Sequence, residues 1–423
     1  MEAMTLPLTR SDIDAAFDTV AAVVRRTPLE FSERLSEQYS ARIYLKREDL
    51  QTVRSYKIRG AYNRMSLLSA TERDAGVVCA SAGNHAQGVA RSCGLLEVRG
   101  TIFMPRNTPR QKVDRVRFFG GAWVRLEMVG DTFDHAKHEA HAFAQATGQV
   151  VIPPFDDPAV IAGQGTVARE IAEQMPDAPN LIILPVGGGG LLSGCAVYCA
   201  SALPATRLIG VEPAGAQSLI AALAAGEVVT LPEIDTFVDG AAVQTAGHHT
   251  LAICTALRPE VITKVIPVAE GQVCTTMICL YQSDGIIAEP AGALTVAALD
   301  GLRDEIRGKS VVCVVSGGNN DISRYPEVVE RSLLFQGLKH YFLIEFSQRA
   351  GALRQYLDDA LGPQDDITLF EYVKKNNREF GPALVGIELS SRDDLASLLE
   401  RMAAIGLRYQ VVEPGSVLHR FLV

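Results

Sequence analysis

The sequence predicts an α/β protein followed by a smaller α+β domain. From Ile43 to Ser316, short apolar runs alternate with helix-period segments. The runs are rich in valine and isoleucine and lack strict alternation, which is typical of parallel strands covered by helices on both faces. After Lys339 the strands alternate more clearly, as expected for a sheet with one partly solvated face.

The elements of the first region follow one another in a β-α rhythm that favours parallel sheets. Thr108 followed by Pro109 indicates an N-cap and the first-turn proline of one helix. Other helices are predicted at 55–70, 84–93, 131–147 and 214–225. The predicted strands are 76–80, 100–104, 122–128, 149–152, 181–186, 207–212, 261–268 and 310–315.

The second region has the order βαββαβ, the split-βαβ pattern of ferredoxin-like modules. Its strands are predicted at 341–346, 367–373, 383–389 and 407–412, and its helices at 350–360 and 392–405. We therefore expect a first domain over 1–328 with a smaller subdomain at about 50–155 inside it, a linker over 329–338, and a regulatory or oligomerisation domain over 339–423.

Composition limits the function further. The chain has 423 residues, of which 48% are hydrophobic and 21% charged, with a formal net charge of −9. This describes an ordinary globular protein and argues against nucleic acid or an anionic membrane as partner. Residues 1–10 do not resemble a signal peptide, and no apolar run reaches the ~18 residues of a membrane helix. Eight cysteines without a C-x-x-C pair indicate reduced thiols, so we expect a cytoplasmic protein.

Four consecutive glycines form the strongest single motif. Gly187-Gly188-Gly189-Gly190 lies between a predicted strand and a predicted helix. Converging backbone N–H groups at a helix N-terminus bind phosphate. The loop lacks the Lys and Ser/Thr of a nucleotide P-loop and does not fit G-x-G-x-x-G, which favours a phosphate monoester. Glu212 lies where a ribose-binding acid would follow, so a dinucleotide remains an alternative.

Lys57 is a candidate nucleophile. Ser55 resembles a helix cap, which would place Lys57 in the first helical turn. The positive end of the helix would lower its pKa and favour a reactive amine. The alternative is a solvated surface lysine.

Two further polar turns follow predicted strands. The turn Ser81-Ala82-Gly83-Asn84-His85 suits a carboxylate, although a plain N-cap would also explain Asn84. Ser316-Gly317-Gly318-Asn319 follows the last buried strand, at the edge where ligands of open α/β sheets bind. Together with the glycine loop, these turns predict one shared cleft.

The motifs together resemble those of fold-type II pyridoxal-phosphate enzymes, specifically the biosynthetic threonine dehydratase (threonine deaminase) family. Such enzymes have two open, twisted parallel-sheet subdomains, and residues 370–377 resemble the single ACT-like domain of the shorter members. The resemblance covers nearly all of the chain. It rests on 46–49, 55–61, 81–88, the glycine loop, 210–213, 289–293 and 316–319.

The resemblance implies a role for each matching residue. Lys57 would bind pyridoxal 5'-phosphate as an imine, and Tyr56, where the family more often has Phe, would pack on the ring. Asn84 would bond the ring hydroxyl oxygen and Ser316 the pyridine nitrogen. The phosphate would be held by Gly187, Gly188, Gly189, Gly190 and Leu191. The substrate carboxylate would be held by Ser81, Ala82, Gly83, Asn84 and His85.

The resemblance also implies an activity, which is β-elimination of L-threonine to 2-oxobutanoate and ammonia in isoleucine biosynthesis. The C-terminal domain would sense isoleucine in a homo-oligomer, either a tetramer or a dimer. Ala82 stands where related racemases have a second serine, which favours a dehydratase. Relatives that bind a divalent cation carry an acid near Ser218, and here only Glu212 remains, so we expect no metal.

Several alternatives stay open at this point. A serine dehydratase, a hydroxyaspartate lyase or a cysteine-type synthase would have the same fold. A protein of another class, a non-catalytic sensor with a phosphate-ligand site and an amino-acid receptor domain, would share the glycine loop and Glu212.

Overall fold

The computed structural model describes residues 6–374, 378–413 and 415–422. The chain divides into two compact units, Met1–Asp321 and Ile322–Val423. Lys375, Asn376 and Asn377, which belong to the segment that resembles an ACT-like domain, lie outside the described residues. No helix in the described ranges is long and apolar enough to span a membrane.

The described part of the first unit contains ten strands and fourteen α-helices. The strands are β1 (Leu29–Phe31), β2 (Arg42–Arg47), β3 (Val77–Ala80), β4 (Gly100–Met104), β5 (Val124–Met128), β6 (Val150–Val151), β7 (Leu181–Pro185), β8 (Arg207–Pro213), β9 (Ile262–Val268) and β10 (Ser310–Val315). The helices are α1 (Arg10–Val20), α2 (Glu33–Tyr39), α3 (Lys57–Ser66), α4 (Ala70–Ala75), α5 (Asn84–Leu96), α6 (Arg110–Gly120), α7 (Phe133–Thr147), α8 (Pro158–Gln174), α9 (Gly190–Ala202), α10 (Ser218–Ala225), α11 (His248–Ala256), α12 (Glu270–Asp284), α13 (Pro290–Ala297) and α14 (Arg303–Ile306).

These strands form two sheets. The larger has the order β1-β2-β10-β7-β8-β9, and all its pairs are parallel except β1 with β2. The smaller has the order β5-β4-β3-β6 and is entirely parallel. The predicted α/β class with two parallel sheets is therefore confirmed.

Predicted helix boundaries differ from the structure at several places, among them the start of α10, which was predicted at 214 and lies at Ser218. The helix expected over 55–70 is two helices, because Ser69 and Glu72 form a capping box that begins α4. At α6 the predicted start was wrong by one residue. Pro109 occupies the N-cap position of α6, and the Thr108 hydroxyl donates instead to the carbonyl oxygen of Pro105 at 2.7 Å.

Helix α8 was missed by the sequence reasoning. Eleven of its residues are buried, so it lacks the one-sided apolar periodicity by which a surface helix is recognised. Its start did carry a signal, since Asp157 caps the helix and Pro158 occupies its first turn. Ile161, Val167 and Ile171 of α8 belong to the core of the larger sheet.

The second unit is an antiparallel α+β domain. Its strands are β11 (Lys339–Ser347), β12 (Asp366–Tyr372), β13 (Phe380–Glu388) and β14 (Arg408–Val411), in the order β12-β13-β11-β14. Its described helices are α15 (Tyr325–Gln336), α16 (Ala352–Asp359), α17 (Asp394–Ala404) and α18 (Val417–Leu422). The predicted βαββαβ order is confirmed. Most of the expected linker, 329–338, is helical because it lies in α15.

Candidate active site

A small cavity in the first unit collects residues from separate parts of the chain. Its lining includes the predicted residues Tyr56, Lys57, Asn84, Gly187 and Ser316. The last three follow β3, β7 and β10, whose carboxyl ends are where ligands bind in open α/β sheets. Residues that the prediction did not assign complete the lining: Pro185, Gly240, Ala241, Glu289 and Ala291.

Lys57 is the first residue of α3. Tyr56, rather than Ser55, occupies the N-cap position, but the Ser55 hydroxyl still accepts the backbone N–H of Lys57 at 3.3 Å. The Lys57 Nζ donates to the carbonyl oxygen of Pro154 at 3.1 Å. Burial lowers the pKa of Lys57 to about 8, and the charge of Glu289 opposes that shift. The pKa moves in the predicted direction, but burial rather than the helix terminus is its main cause.

The glycine loop offers free backbone donors. Among the described residues, none accepts a hydrogen bond from the backbone N–H of Gly187, Gly188 or Gly189. Helix α9 begins at Gly190, so its first turn adds N–H groups that have no intrahelical acceptor. The loop and helix start therefore suit a phosphate group.

Close packing and backbone conformation also explain why two of these positions are glycine. A Cβ on Gly188 would lie 2.3 Å from the Phe155 ring, and Gly189 adopts a φ of +94°, which favours glycine. The Thr250 hydroxyl donates to the carbonyl oxygen of Gly188 at 2.7 Å and fixes the loop. Four glycines in a row thus do not by themselves require a phosphate.

Asn84 belongs to a closed ring of hydrogen bonds. Its Nδ2 donates to Glu289 Oε1 at 2.6 Å, and its Oδ1 accepts from Asn319 Nδ2 at 2.7 Å. The backbone N–H of Asn319 donates to Glu289 Oε2 at 3.2 Å. Burial raises the pKa of Glu289 to about 7, with a further contribution from Asp239.

Glu289 was quoted in a motif but given no role by the sequence reasoning. A signal was available, because this acid follows an apolar run and directly precedes Pro290, which begins α13. An acid in that place is usually a helix cap, and only the structure shows it in the cavity.

Ser316 and Tyr56 lie side by side in the cavity wall. The backbone N–H of Tyr56 donates to the carbonyl oxygen of Ser316 at 3.2 Å. The Ser316 hydroxyl forms a long bond of 3.3 Å to the carbonyl oxygen of Ala291, which leaves it able to turn toward a ligand. The Lys57 amine lies 5.2 Å from the centroid of the Tyr56 ring.

The turn predicted to bind a carboxylate reaches the cavity at Asn84 only. The backbone N–H of Gly83 donates to the Ser81 hydroxyl at 3.2 Å, and α5 begins at Asn84. Ser81, Ala82 and Gly83 are partly exposed and do not line the cavity.

His85 is buried beside this turn. Its Nε2 bonds to the carbonyl oxygen of Ile152 at 2.8 Å. Burial lowers the pKa of His85 to about 4, so its imidazole is neutral near pH 7. Its ring therefore supports the connecting segment that begins at Ile152.

The segment 152–157, which leads from β6 to α8, was given no role in the site by the sequence reasoning. It contacts Lys57 and the glycine loop, and its proline and acid pairs were the signal that could have found it. The contacts are Ile152 with His85, Pro154 with Lys57, Phe155 with Gly188, Asp156 with the backbone N–H groups of His248 and His249, and Asp157 with Arg64.

Glu212 lies outside the cavity. Its carboxylate accepts the backbone N–H groups of Leu219 at 2.8 Å and Ile220 at 2.9 Å, so it caps α10. Burial raises the pKa of Glu212 to about 7. This use of Glu212 removes the support for a dinucleotide ribose.

The described residues contain no group of three His, Cys, Asp or Glu side chains that could hold a metal.

A buried charge network supports the start of α3. Arg59 donates to both oxygens of Glu48 at 2.8 Å and to Glu170 at 2.7 Å. Lys46 donates to the other oxygen of Glu170 at 2.5 Å. All four side chains are 0–2% exposed. Since Arg59 is two residues from Lys57, the network fixes the start of the helix that carries Lys57.

The second unit has a cleft of its own, with a volume of about 420 Å³. It lies at the start of α16 and beside β11 and β12. Apolar side chains and three cations face it. They are Phe346, Leu353, Leu357, Phe370 and Tyr372, with Arg349, Arg354 and Lys374.

Comparison with known proteins identifies the class. Residues 20–317 match the family described as "Pyridoxal-phosphate dependent enzyme". Residues 330–422 match the "C-terminal regulatory domain of Threonine dehydratase". The chain belongs to the pyridoxal-phosphate-dependent enzymes.

Within that class the chain belongs to the biosynthetic threonine dehydratases. The biosynthetic L-threonine dehydratase of Mycobacterium tuberculosis (strain H37Rv) is 55% identical over 98% of this chain and 96% of its own length. Threonine deaminase isoform 2 of Solanum lycopersicum is 40% identical, with a TM-score of 0.70 over 76% of this chain and 94% of that one. Maize serine racemase is 31% identical, with a TM-score of 0.70 over 77% of this chain and 98% of that one.

Proposed function

We propose that this chain is a threonine dehydratase that eliminates water from L-threonine and yields 2-oxobutanoate and ammonia, the first step of isoleucine biosynthesis. The observation that carries the proposal is Lys57, whose pKa is lowered to about 8, in one cavity with Asn84, Gly187 and Ser316. The activity named for relatives that match nearly the whole chain supports the same reaction.

The polar groups that line this cavity suit the chemistry of the cofactor. Bound pyridoxal phosphate supplies the electron sink that stabilises negative charge at the substrate's α-carbon. The free N–H groups of Gly187 to Gly189 and the first turn of α9 would hold its phosphate. Asn84 has a second Nδ2–H for the ring oxygen, and Ser316 has a hydroxyl for the ring nitrogen.

Lys57 supplies the base. With a pKa of about 8, a substantial fraction of its amine is neutral near neutral pH, as removal of the α-proton requires. The carbonyl oxygen of Pro154 holds the amine beside the cavity. The substrate carboxylate would bind at the start of α5, where Asn84 reaches the cavity and the first N–H groups of the helix have no intrahelical acceptor. The β-hydroxyl then leaves as water, and hydrolysis releases ammonia and the oxo acid.

The test is production of 2-oxo acid by the purified, cofactor-loaded protein. We expect 2-oxobutanoate from L-threonine with a higher kcat/KM than pyruvate from L-serine. A preference for serine or hydroxyaspartate would identify a different dehydratase of the same fold, and D-amino acid product would identify a racemase. A folded, cofactor-loaded protein that releases no oxo acid would support the non-catalytic sensor instead.

We also propose that the cleft of the second unit binds isoleucine and that isoleucine inhibits the enzyme. Apolar Leu353, Leu357 and Phe370 suit a branched side chain, and Arg349 and Arg354 suit its carboxylate. Calorimetry on the full chain would test this. Arg349→Glu should weaken isoleucine binding, whereas Arg392→Glu, outside the cleft, should not. Equal binding by both variants would contradict this location.

We propose a cytoplasmic homo-oligomer, a tetramer or a dimer. Exposed apolar side chains of the second unit outside the cleft, Phe335, Leu343 and Val373, favour self-association. All eight cysteines are free thiols, as expected for a reducing compartment. Sedimentation equilibrium would give the subunit number, and a purely monomeric mass would contradict the proposal.

A further inference from the structure

We infer that Glu289 is a positioning residue: with Asn319, its carboxylate holds the side-chain amide of Asn84 in the orientation that presents a free N–H to the cofactor. The inference rests on the proposed role of Asn84 as a cofactor contact. It assigns to Glu289 an effect on cofactor binding that passes through Asn84.

The hydrogen bonds fix which way the Asn84 amide points. Asn319 Nδ2 donates both to the carbonyl oxygen of Val53 at 2.8 Å and to Asn84 Oδ1 at 2.7 Å. Turning the Asn84 amide over would set its NH₂ against the NH₂ of Asn319 and its oxygen against the Glu289 carboxylate. Both hydrogen bonds would be lost, because a donor would then face a donor and an acceptor would face an acceptor. One orientation of the amide is therefore strongly favoured.

This orientation leaves one donor for a ligand. The Asn84 NH₂ group has two hydrogens, and Glu289 accepts one of them. Both Asn84 and Glu289 line the cavity that contains Lys57. The remaining N–H is therefore available within the cofactor site, and the hydrogen bond to Glu289 fixes the direction in which it points.

Glu289 itself is enclosed rather than free to move. It is 4% exposed, and a Cβ on Gly317 would lie 2.2 Å from its Oε1. It occupies the N-cap position of α13, yet its side chain makes no capping bond there. No cation of the described residues forms an ion pair with it. A buried carboxylate without an ion-pair partner costs stability, which favours a functional role over a structural one.

A double-mutant cycle separates positioning from a general structural effect. The variants are Asn84→Ala, Glu289→Gln and the pair, and the measurement is the dissociation constant of pyridoxal phosphate from the cofactor-free chain, by fluorescence titration. Gln keeps the size of Glu, but it cannot accept from Asn84 and from the Asn319 backbone at once without turning a donor toward a donor. Thermal unfolding of each cofactor-free variant verifies that it is folded.

We expect Asn84→Ala to weaken cofactor binding about 10-fold or more, the effect of one lost hydrogen bond to a charged group. Glu289→Gln should weaken it about 5-fold or more in the parent chain and cause no further loss when Asn84 is already Ala. Asn319→Ala should behave like Glu289→Gln, and it serves if the latter variant does not fold. Glu212→Gln removes a matched buried carboxyl outside the cavity and should leave the dissociation constant unchanged.

The possible failures are distinguishable. Additive effects of Asn84→Ala and Glu289→Gln, or no effect of Glu289→Gln alone, would overturn the positioning role and leave the proposed site intact. An unchanged dissociation constant in Asn84→Ala would overturn the assignment of Asn84 itself, and the positioning role with it.

Discussion

Lys46 and Lys57 lie eleven residues apart, and they differ in whether a carboxylate forms an ion pair with the amine. Burial lowers the pKa of both. Lys46 donates to the Glu170 carboxylate at 2.5 Å and to two neutral oxygens, whereas Lys57 donates to the carbonyl oxygen of Pro154. Lys57 forms no ion pair with any described residue. Two carboxylates, Glu48 and Glu170, oppose the lowering at Lys46, whereas at Lys57 only the charge of Glu289 opposes it.

The groups around the two lysines extend this contrast. The network around Lys46 contains two cations and two carboxylates, so its charges balance. Burial alone would lower the pKa of Arg59, but Glu48 and Glu170 outweigh it and raise that pKa. In the cavity, Lys57 and Glu289 are close but unpaired, and both pKa values move toward neutrality. The fully paired charges around Lys46 therefore support the fold. The groups without an ion pair, Lys57 and Glu289, have the shifted pKa values that are typical of functional sites.

The largest expected effect is from Lys57→Met. Loss of the base should reduce 2-oxobutanoate production by at least ~10³-fold, and the protein should lose the yellow colour of the lysine-bound cofactor. The free energy of unfolding of the cofactor-free chain should stay constant or rise, since an uncompensated buried amine is removed. Steady-state kinetics, absorbance and urea denaturation measure the three. Retained colour and turnover would contradict the role of Lys57.

Lys46→Met is the matched change in the paired environment. It leaves Glu170 and Glu48 with one cation fewer, and breaking such a buried pair costs about 3–5 kcal/mol. Urea denaturation should show this loss, while variant protein that remains folded should still bind the cofactor. A Lys46→Met chain as stable as the parent would show that the network is not required for stability.

Glu289→Gln should change how stability depends on pH. The pKa of Glu289 is about 7 in the folded chain against an ordinary 4.5, so folding favours its protonated form. That contribution is present below pH 4.5 and is lost as pH rises through about 7, with a slope of up to about 1.4 kcal/mol per pH unit. Gln should remove this slope from the cofactor-free chain.

Urea denaturation at several pH values between about 4 and 8 measures the slope. Glu212→Gln is the control, since burial also raises the pKa of Glu212 to about 7. It should remove a similar slope without changing cofactor affinity. An unchanged slope in Glu289→Gln would mean that the carboxyl does not titrate in this range.

The smallest expected effect is from Gly188→Ala. Its new Cβ would lie 2.3 Å from the Phe155 ring, and such overpacking costs typically about 1–3 kcal/mol. Displacement of the loop should weaken cofactor binding, measured by titration. Phe155→Leu combined with Gly188→Ala should restore part of the affinity by making room. If the combined variant binds no better than Gly188→Ala alone, contact with Phe155 is not the cause.

Most of the fold could be predicted from sequence, because its signals are local. The strands 100–104 and 310–315 were predicted at their observed bounds, β4 and β10, since continuous apolar runs bounded by turns are read directly. Helix α8 was missed because a helix buried on all sides has no polar face. Asn84, Lys57 and the glycine loop were predicted as candidates because each belongs to a turn after a strand or at a helix start, and the structure places Asn84, Lys57 and Gly187 in one cavity.

Residues whose role depends on distant partners could not be found in this way. Glu289 meets Asn84 across 205 positions of sequence, and Lys57 meets Pro154 across 97. No local pattern specifies such a pair. The prediction for Lys57 shows the same limit, since the direction of its pKa shift was expected while burial, its main cause, depends on the packed cavity.

The sequence by itself determined the parallel sheets, the α+β second domain and the positions of the polar turns, because periodicity and glycine or proline placement act within a few residues. The tertiary structure decided which polar groups face one another. It paired Lys46 with Glu170 and left Lys57 and Glu289 unpaired in the cavity. The physical reason is that burial and counter-charge, which set the protonation of a side chain, come from residues brought together only by folding.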